Sequence, residues 1–122
     1  MANIVFGSDG TTTFPTRFHG DVTLSKTKWG IICSAAERAY YKFNGEKIAT
    51  TLINPDSVRR HLHEKNQFFY YKKFTTLMMD ETLEVRPPSG VYFAVIIDDE
   101  KKRICTVYPV SAPKPGKAFK PT

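Results

Sequence analysis

A chain of 122 residues and 13.9 kDa, 41% hydrophobic and 25% charged, has the size and composition of one globular domain. It holds no apolar run of the ~18 residues that a membrane span requires, so no membrane role is expected. Eighteen Lys and Arg against twelve Asp and Glu leave a net charge of +6 and a pI near 9.4, a field that attracts polyanions such as nucleic acid.

The start, MANIVFGSDG, lacks the basic flank and apolar stretch of a secretory signal, and the expected compartment is cytoplasmic. Asn3 to Phe6 reads as a short strand, and SDGTTTFPTRFHG, full of turn formers and polar β-branched residues, as an irregular arm, giving an N-terminal segment 1–20. From Asp21 the pattern becomes regular. DVTL is a short extended entry, and Ser25 can cap a helix whose apolar positions Trp29, Ile32, Cys33, Ala36 and Tyr40 recur at helical spacing. Asn44-Gly45 punctuates, EKIATTLIN forms a second helix with Ile48 and Leu52 facing inward, and Pro55 ends it. SVRRHLH then places Val58 and Leu62 on one side of a strand and Arg59, His61 and His63 on the other, with Lys65-Asn66 as the turn into the aromatic strand QFFYYKKF. A short strand TLEV precedes Pro87-Pro88, which interrupts pairing. VYFAVII and RICTVYPV, joined by the charged turn DDEKK, form an antiparallel hairpin, and SAPKPGKAFKPT is a basic, proline-rich tail over 111–122.

The expected fold is therefore α+β: two N-terminal helices packed on one face of an antiparallel sheet of about four strands, within a domain spanning 21–110, with the other sheet face free to bind. Cys33 and Cys105, far apart in apolar segments, are expected as reduced buried thiols, and no metal site or cofactor is expected. No glycine-rich phosphate loop or activated serine or cysteine neighbourhood is present.

On the free face Arg59, His61 and His63 would lie near an aromatic and a cation of the next strand, either Tyr70 and Lys72 or Tyr71 and Lys73 according to register. Cleaving RNA without a metal needs a base for the 2′-hydroxyl, an acid for the 5′-oxygen and cations for the phosphorane charge. Histidine and arginine suit those roles by pKa and by donor geometry. The same residues also suit a solvated polar face, the commoner use of such a strand.

In order, DVTLSKTKWGII, IATTLINPDSVRR, QFFYYKKF, VYFAVII and RICTVYPV resemble the small metal-independent ribonuclease toxins of the barnase, EndoU, colicin and RelE-like superfamily, particularly its phage and polymorphic-toxin branches. The resemblance covers the chain from Asp21 to about Lys117. It implies RNA cleavage by 2′-hydroxyl attack, with His61, His63, Arg59, Thr106 and Tyr108 as catalytic candidates and Arg38, Arg60, Tyr70, Tyr71, Lys72 and Lys73 as RNA contacts. It also implies a cognate immunity or antitoxin protein as a second partner, and delivery into a target cell's cytoplasm as a route of action. Where that pattern places a histidine after the Trp segment, Gly30-Ile31-Ile32 has none. Either His61 or His63 replaces it, or the domain binds RNA, DNA or an acidic protein without cutting.

Overall fold

The computed structural model describes residues 4–113 and the backbone of Lys117–Ala118, so Asn3 and most of the basic tail lie outside the described residues. Strands β1 (Thr11–Pro15) and β2 (Asp21–Ser25) come first, followed by α1 (Lys26–Ile32), a 3-10 helix (Ala36–Asn44) and α2 (Gly45–Ile53). Then come β3 (Ser57–Arg60), β4 (Gln67–Phe74), β5 (Leu77–Met78), β6 (Glu84–Val85), β7 (Val91–Asp98), β8 (Arg103–Val110) and β9 (Lys117–Ala118). Seven of the strands form one sheet in the order β1-β2-β8-β7-β4-β3-β9, and β5 pairs with β6 separately.

This α+β arrangement corrects the expected one. The helices sit in the middle of the chain, behind two strands, and the sheet is larger than four strands and mixed, because β2 meets β8 in parallel at Thr23 and Arg103. The stretch read as an irregular arm supplies the edge strand β1, paired with β2 from Thr11–Ser25 to Pro15–Asp21. Its sequence hides this because an edge strand buries little: only Phe14 of the five β1 residues is buried, and Pro15 costs no ladder hydrogen bond at an edge.

The single helix expected from Trp29 to Tyr40 is broken in two. Ser25 caps α1 as anticipated, its hydroxyl accepting from Lys28 N–H at 3.0 Å. At the other end Ser34 turns both its N–H and its hydroxyl back onto the Ile31 carbonyl, and Ala35 is extended, so the chain restarts as a 3-10 helix. In α2, Ile48 and Leu52 are fully buried as the spacing predicts, and Thr51 and Lys47 are buried beside them. Lys47 holds its ammonium over the Phe74 ring, and burial lowers its pKa despite Glu46 and Glu84 nearby.

The helices pack on one sheet face. Val58, Phe68, Tyr70, Phe93, Val95, Ile97, Ile104 and Val107 point toward them and form the main core with Trp29, Ile48 and Leu52. Ile104 and Val107 share a face although three positions apart, because Ile97 pairs with Ile104 and Ile96 with Thr106, leaving Cys105 as a bulge. Tyr71, Ala94 and Ile96 point the other way and form a second apolar cluster with Phe69, Tyr92, Tyr108 and Val110 around them. Burial on both faces explains why β7 reads as an almost unbroken apolar run.

Candidate nucleic-acid interface

Four strands bring the candidate residues onto the face opposite the helices. Pairing of Arg59 with Phe69 in the β3–β4 ladder selects Tyr71 and Lys73, not Tyr70 and Lys72, as the companions of Arg59. Across the sheet Arg59, Phe69, Ile96 and Thr106 stand in one row, and Ser57, Tyr71, Ala94 and Tyr108 in the next. Arg59, Phe69, Thr106 and Tyr108 are half-buried, and Lys73 is exposed. Tyr71 and Ala94 are fully buried, so the centre of this face is packed rather than open as expected.

The row also separates the catalytic candidates. With neighbouring strands about 4.8 Å apart, Arg59 and Thr106 lie three spacings, or about 14 Å, from each other, with Phe69 and Ile96 between them. The two side chains therefore do not stand side by side on the sheet. Tyr70 is removed altogether: it faces the helices, and its hydroxyl lies 2.5 Å from His19 Nδ1 and accepts from Phe18 N–H at 3.3 Å. Arg60 is exposed and alternates to the helix side opposite Phe68, and Lys72 reaches Asp56 at 3.5 Å. Arg38 belongs to the 3-10 helix on the far side of the sheet, and its Nε is buried with no hydrogen-bond partner among the described residues.

β3 ends at Arg60, so the strand expected to carry both histidines stops short of them. His61 continues the ladder by one bond, its N–H donating to the Gln67 carbonyl at 3.0 Å, and then the chain turns. His61 Nδ1 accepts from the N–H groups of His63 and Glu64, each at 3.0 Å, so the imidazole caps the turn. That fixes the neutral tautomer with its hydrogen on Nε2, which makes His61 a donor toward the face and not a base. Its ring meets Phe69 edge-on with centroids 5.5 Å apart, while His63 is exposed 6.1 Å from the His61 ring. Leu62, expected to face inward with Val58, is 52% exposed because it lies in the turn.

A second polar cluster forms around His19. His19, in the supposed arm, is buried at the end of the sheet, with its ring 4.1 Å from Phe68. Its N–H donates to Thr16 Oγ1 at 2.8 Å and its carbonyl accepts from Lys102 Nζ at 2.9 Å, while Lys102 also pairs with Asp99 at 2.6 Å. Burial lowers the His19 pKa, with Lys102 acting in the same direction and Asp99 opposing. Nothing near His19 in the sequence signals this, because Tyr70 arrives from a distant strand. Among the described residues no helix is long and apolar enough to cross a membrane. No protein-family model, no curated protein and no solved structure matches the chain.

Proposed function

We propose that the chain binds single-stranded RNA across the β3-β4-β7-β8 face, with Phe69 as a stacking platform and Arg59, His61 Nε2–H and Lys73 as phosphate contacts. The supporting observation is a half-buried aromatic ring beside Arg59 on one row of the sheet, with Lys73 four residues along the same strand on the same face and the polar groups of the row spread over about 14 Å. A spread of that length suits two or three successive nucleotides better than one reacting phosphate. The net charge of +6 supplies the attraction that brings a polyanion there.

Titration of a labelled single-stranded RNA oligonucleotide, followed by anisotropy at several salt concentrations, tests this reading. Affinity should fall steeply with salt as counterions are released, and Arg59→Ala should flatten the slope by about 0.7, the value for one phosphate contact on a single strand. Phe69→Ala should weaken binding by about 1–3 kcal/mol, the worth of one stacked base. Unchanged affinity in both variants would remove the face from the interaction.

A catalytic form of the same proposal is favoured by one observation: Arg59 and His61 stand on adjacent outward positions of β3 and its extension, a cation beside an imidazole donor. Cleavage by 2′-hydroxyl attack would proceed in EDTA and leave 2′,3′-cyclic phosphate ends. His61 Nε2–H would donate a hydrogen bond to the phosphoryl oxygen on which charge develops, and His61→Ala should lower the rate by about 10²-fold or more. Bound RNA recovered intact after prolonged incubation in EDTA leaves the binding reading alone.

A further inference from the structure

At the opposite end of the strand order from Arg59, the chain before β1 lies against α1 without pairing in the sheet. Gly7 N–H donates to the Thr11 carbonyl at 2.8 Å, Gly10 N–H to the Gly7 carbonyl at 2.9 Å, and Lys26 N–H to the Gly10 carbonyl at 2.8 Å. Gly10 takes a positive φ of 78°, which a side chain would strain, so the loop is fixed at the N-terminus of α1. Ile4 and Phe6 are thereby held against the main core.

Between this loop and α1 lies an open cavity of about 770 Å³. Its apolar walls are Ile4, Phe6 and Trp29, with Cys33 at one side, and Lys26 and Lys42 are its charged lining residues. Burial raises the Cys33 thiol's pKa, so that wall is a neutral thiol. No carboxylate lines the cavity, and neither Lys26 nor Lys42 forms an ion pair with a described residue. The volume is in the range of sites that take small organic ligands. Its charge is one-sided: two lysines and no carboxylate line an apolar cleft, the Lys42 ammonium standing 5.1 Å over the Phe43 ring, so the site attracts an anion and disfavours a cation.

We propose that this cavity binds a small amphiphilic anion, a free molecule with an apolar body that lies against Phe6 and Trp29 and a terminal carboxylate that meets Lys26 and Lys42. The apolar walls supply affinity for the body, and the two lysines select the sign of the head group. The site lies on the helix side of the sheet, opposite the face proposed for RNA.

Trp29 is the chain's single tryptophan, so its emission reports the cavity directly. The full chain is titrated with octanoate, octanol and octyltrimethylammonium, below their micelle-forming concentrations. Octanoate should change Trp29 emission saturably, and the cationic probe should not. Paired Lys26→Ala and Lys42→Ala substitutions should weaken octanoate roughly tenfold or more, the worth of a charge-assisted contact, while leaving RNA affinity within a few-fold. Equal response to octanol, or octanoate affinity unchanged in the double variant, would overturn the proposal. Light scattering before and after octanoate addition separates one other occupant: a dimer that octanoate dissociates would assign the cavity to a second copy of the chain and overturn the small-molecule reading.

Discussion

Asn44→Asp should destabilise the fold by about 3–5 kcal/mol at pH 7, the cost of an uncompensated buried charge, although it replaces one side chain with another of nearly the same shape. Asn44 has no exposed surface and works as a clamp between two layers. Its Nδ2 donates to the carbonyls of Tyr40 and Met78 at 3.0 and 2.8 Å, and its Oδ1 accepts from Met78 N–H at 2.9 Å. Met78 in β5 thus has both backbone groups satisfied by one side chain of the 3-10 helix. An aspartate keeps the acceptor, loses both donors and sets a carboxylate against two carbonyl oxygens at a position with no exposed surface. Folding would raise that carboxyl's pKa above its ordinary value. The unfolded chain would then release the proton first as pH rises, so the variant would recover stability in acid and lose it on approach to neutrality. Urea denaturation at pH 7 and near pH 4 measures both effects. A variant within about 1 kcal/mol of the natural chain at pH 7 would show that Asn44 is not the clamp described, since a single lost buried hydrogen bond already costs that much.

Asn44 also shows where the sequence was legible and where it was not. The Asn44-Gly45 pair does mark the boundary between two helical segments, as turn chemistry suggests, yet nothing local reveals that its amide reaches Met78 across the fold. Elements whose pattern is set by their own neighbours were readable. The β7–β8 hairpin follows from two apolar runs around a charged turn, α1 begins at its Ser25 cap, and α2 buries Ile48 and Leu52. Features decided by distant partners were not readable. β1 is a polar edge strand that exists because β2 pairs with it, and the Cys105 bulge reverses the inward sequence of β8 without any composition signal. The candidate site divides in the same way. Arg59, Phe69 and Lys73 share a face as strand periodicity requires, but the alternation that carried His61 and His63 onto one strand fails where the chain turns and His61 caps it. Sequence alone leaves the register open between Tyr70 and Tyr71, and the observed register turns Tyr70 inward to His19.

That inward pair should make stability depend on pH. In the neutral imidazole, His19 Nδ1 can accept the Tyr70 hydroxyl hydrogen while the Tyr70 oxygen accepts from Phe18 N–H. A protonated His19 would present a second donor to that oxygen and place a charge in a buried site beside the Lys102 ammonium, with Asp99 the carboxylate that opposes this penalty. The His19 pKa in the folded chain is accordingly below its ordinary value of about 6.5. As pH falls through that ordinary value the unfolded chain takes up the proton and the folded chain does not, so stability contributed by His19 is complete above it and declines on acidification. Asp9 and Asp80, whose carboxyls accept backbone N–H bonds, are held below the usual carboxylate range and titrate at lower pH, outside this window. Thermal denaturation should therefore show a loss as pH falls below about 6.5, worth about 1.4 kcal/mol for each unit by which folding lowers the His19 pKa. His19→Leu cannot titrate and should flatten that dependence whatever its own stability. Tyr70→Phe tests the partner: it removes the hydroxyl but leaves the imidazole buried, so it should cost about 1–3 kcal/mol across the range while retaining most of the slope. The same slope in His19→Leu as in the natural chain would place the acid sensitivity elsewhere. A Tyr70→Phe protein of unchanged stability would mean that the hydroxyl does not hold the loop between β1 and β2 against the sheet, and that the other anchors there, Arg17 N–H to the Leu52 carbonyl at the end of α2 and Lys102 Nζ to the His19 carbonyl, suffice.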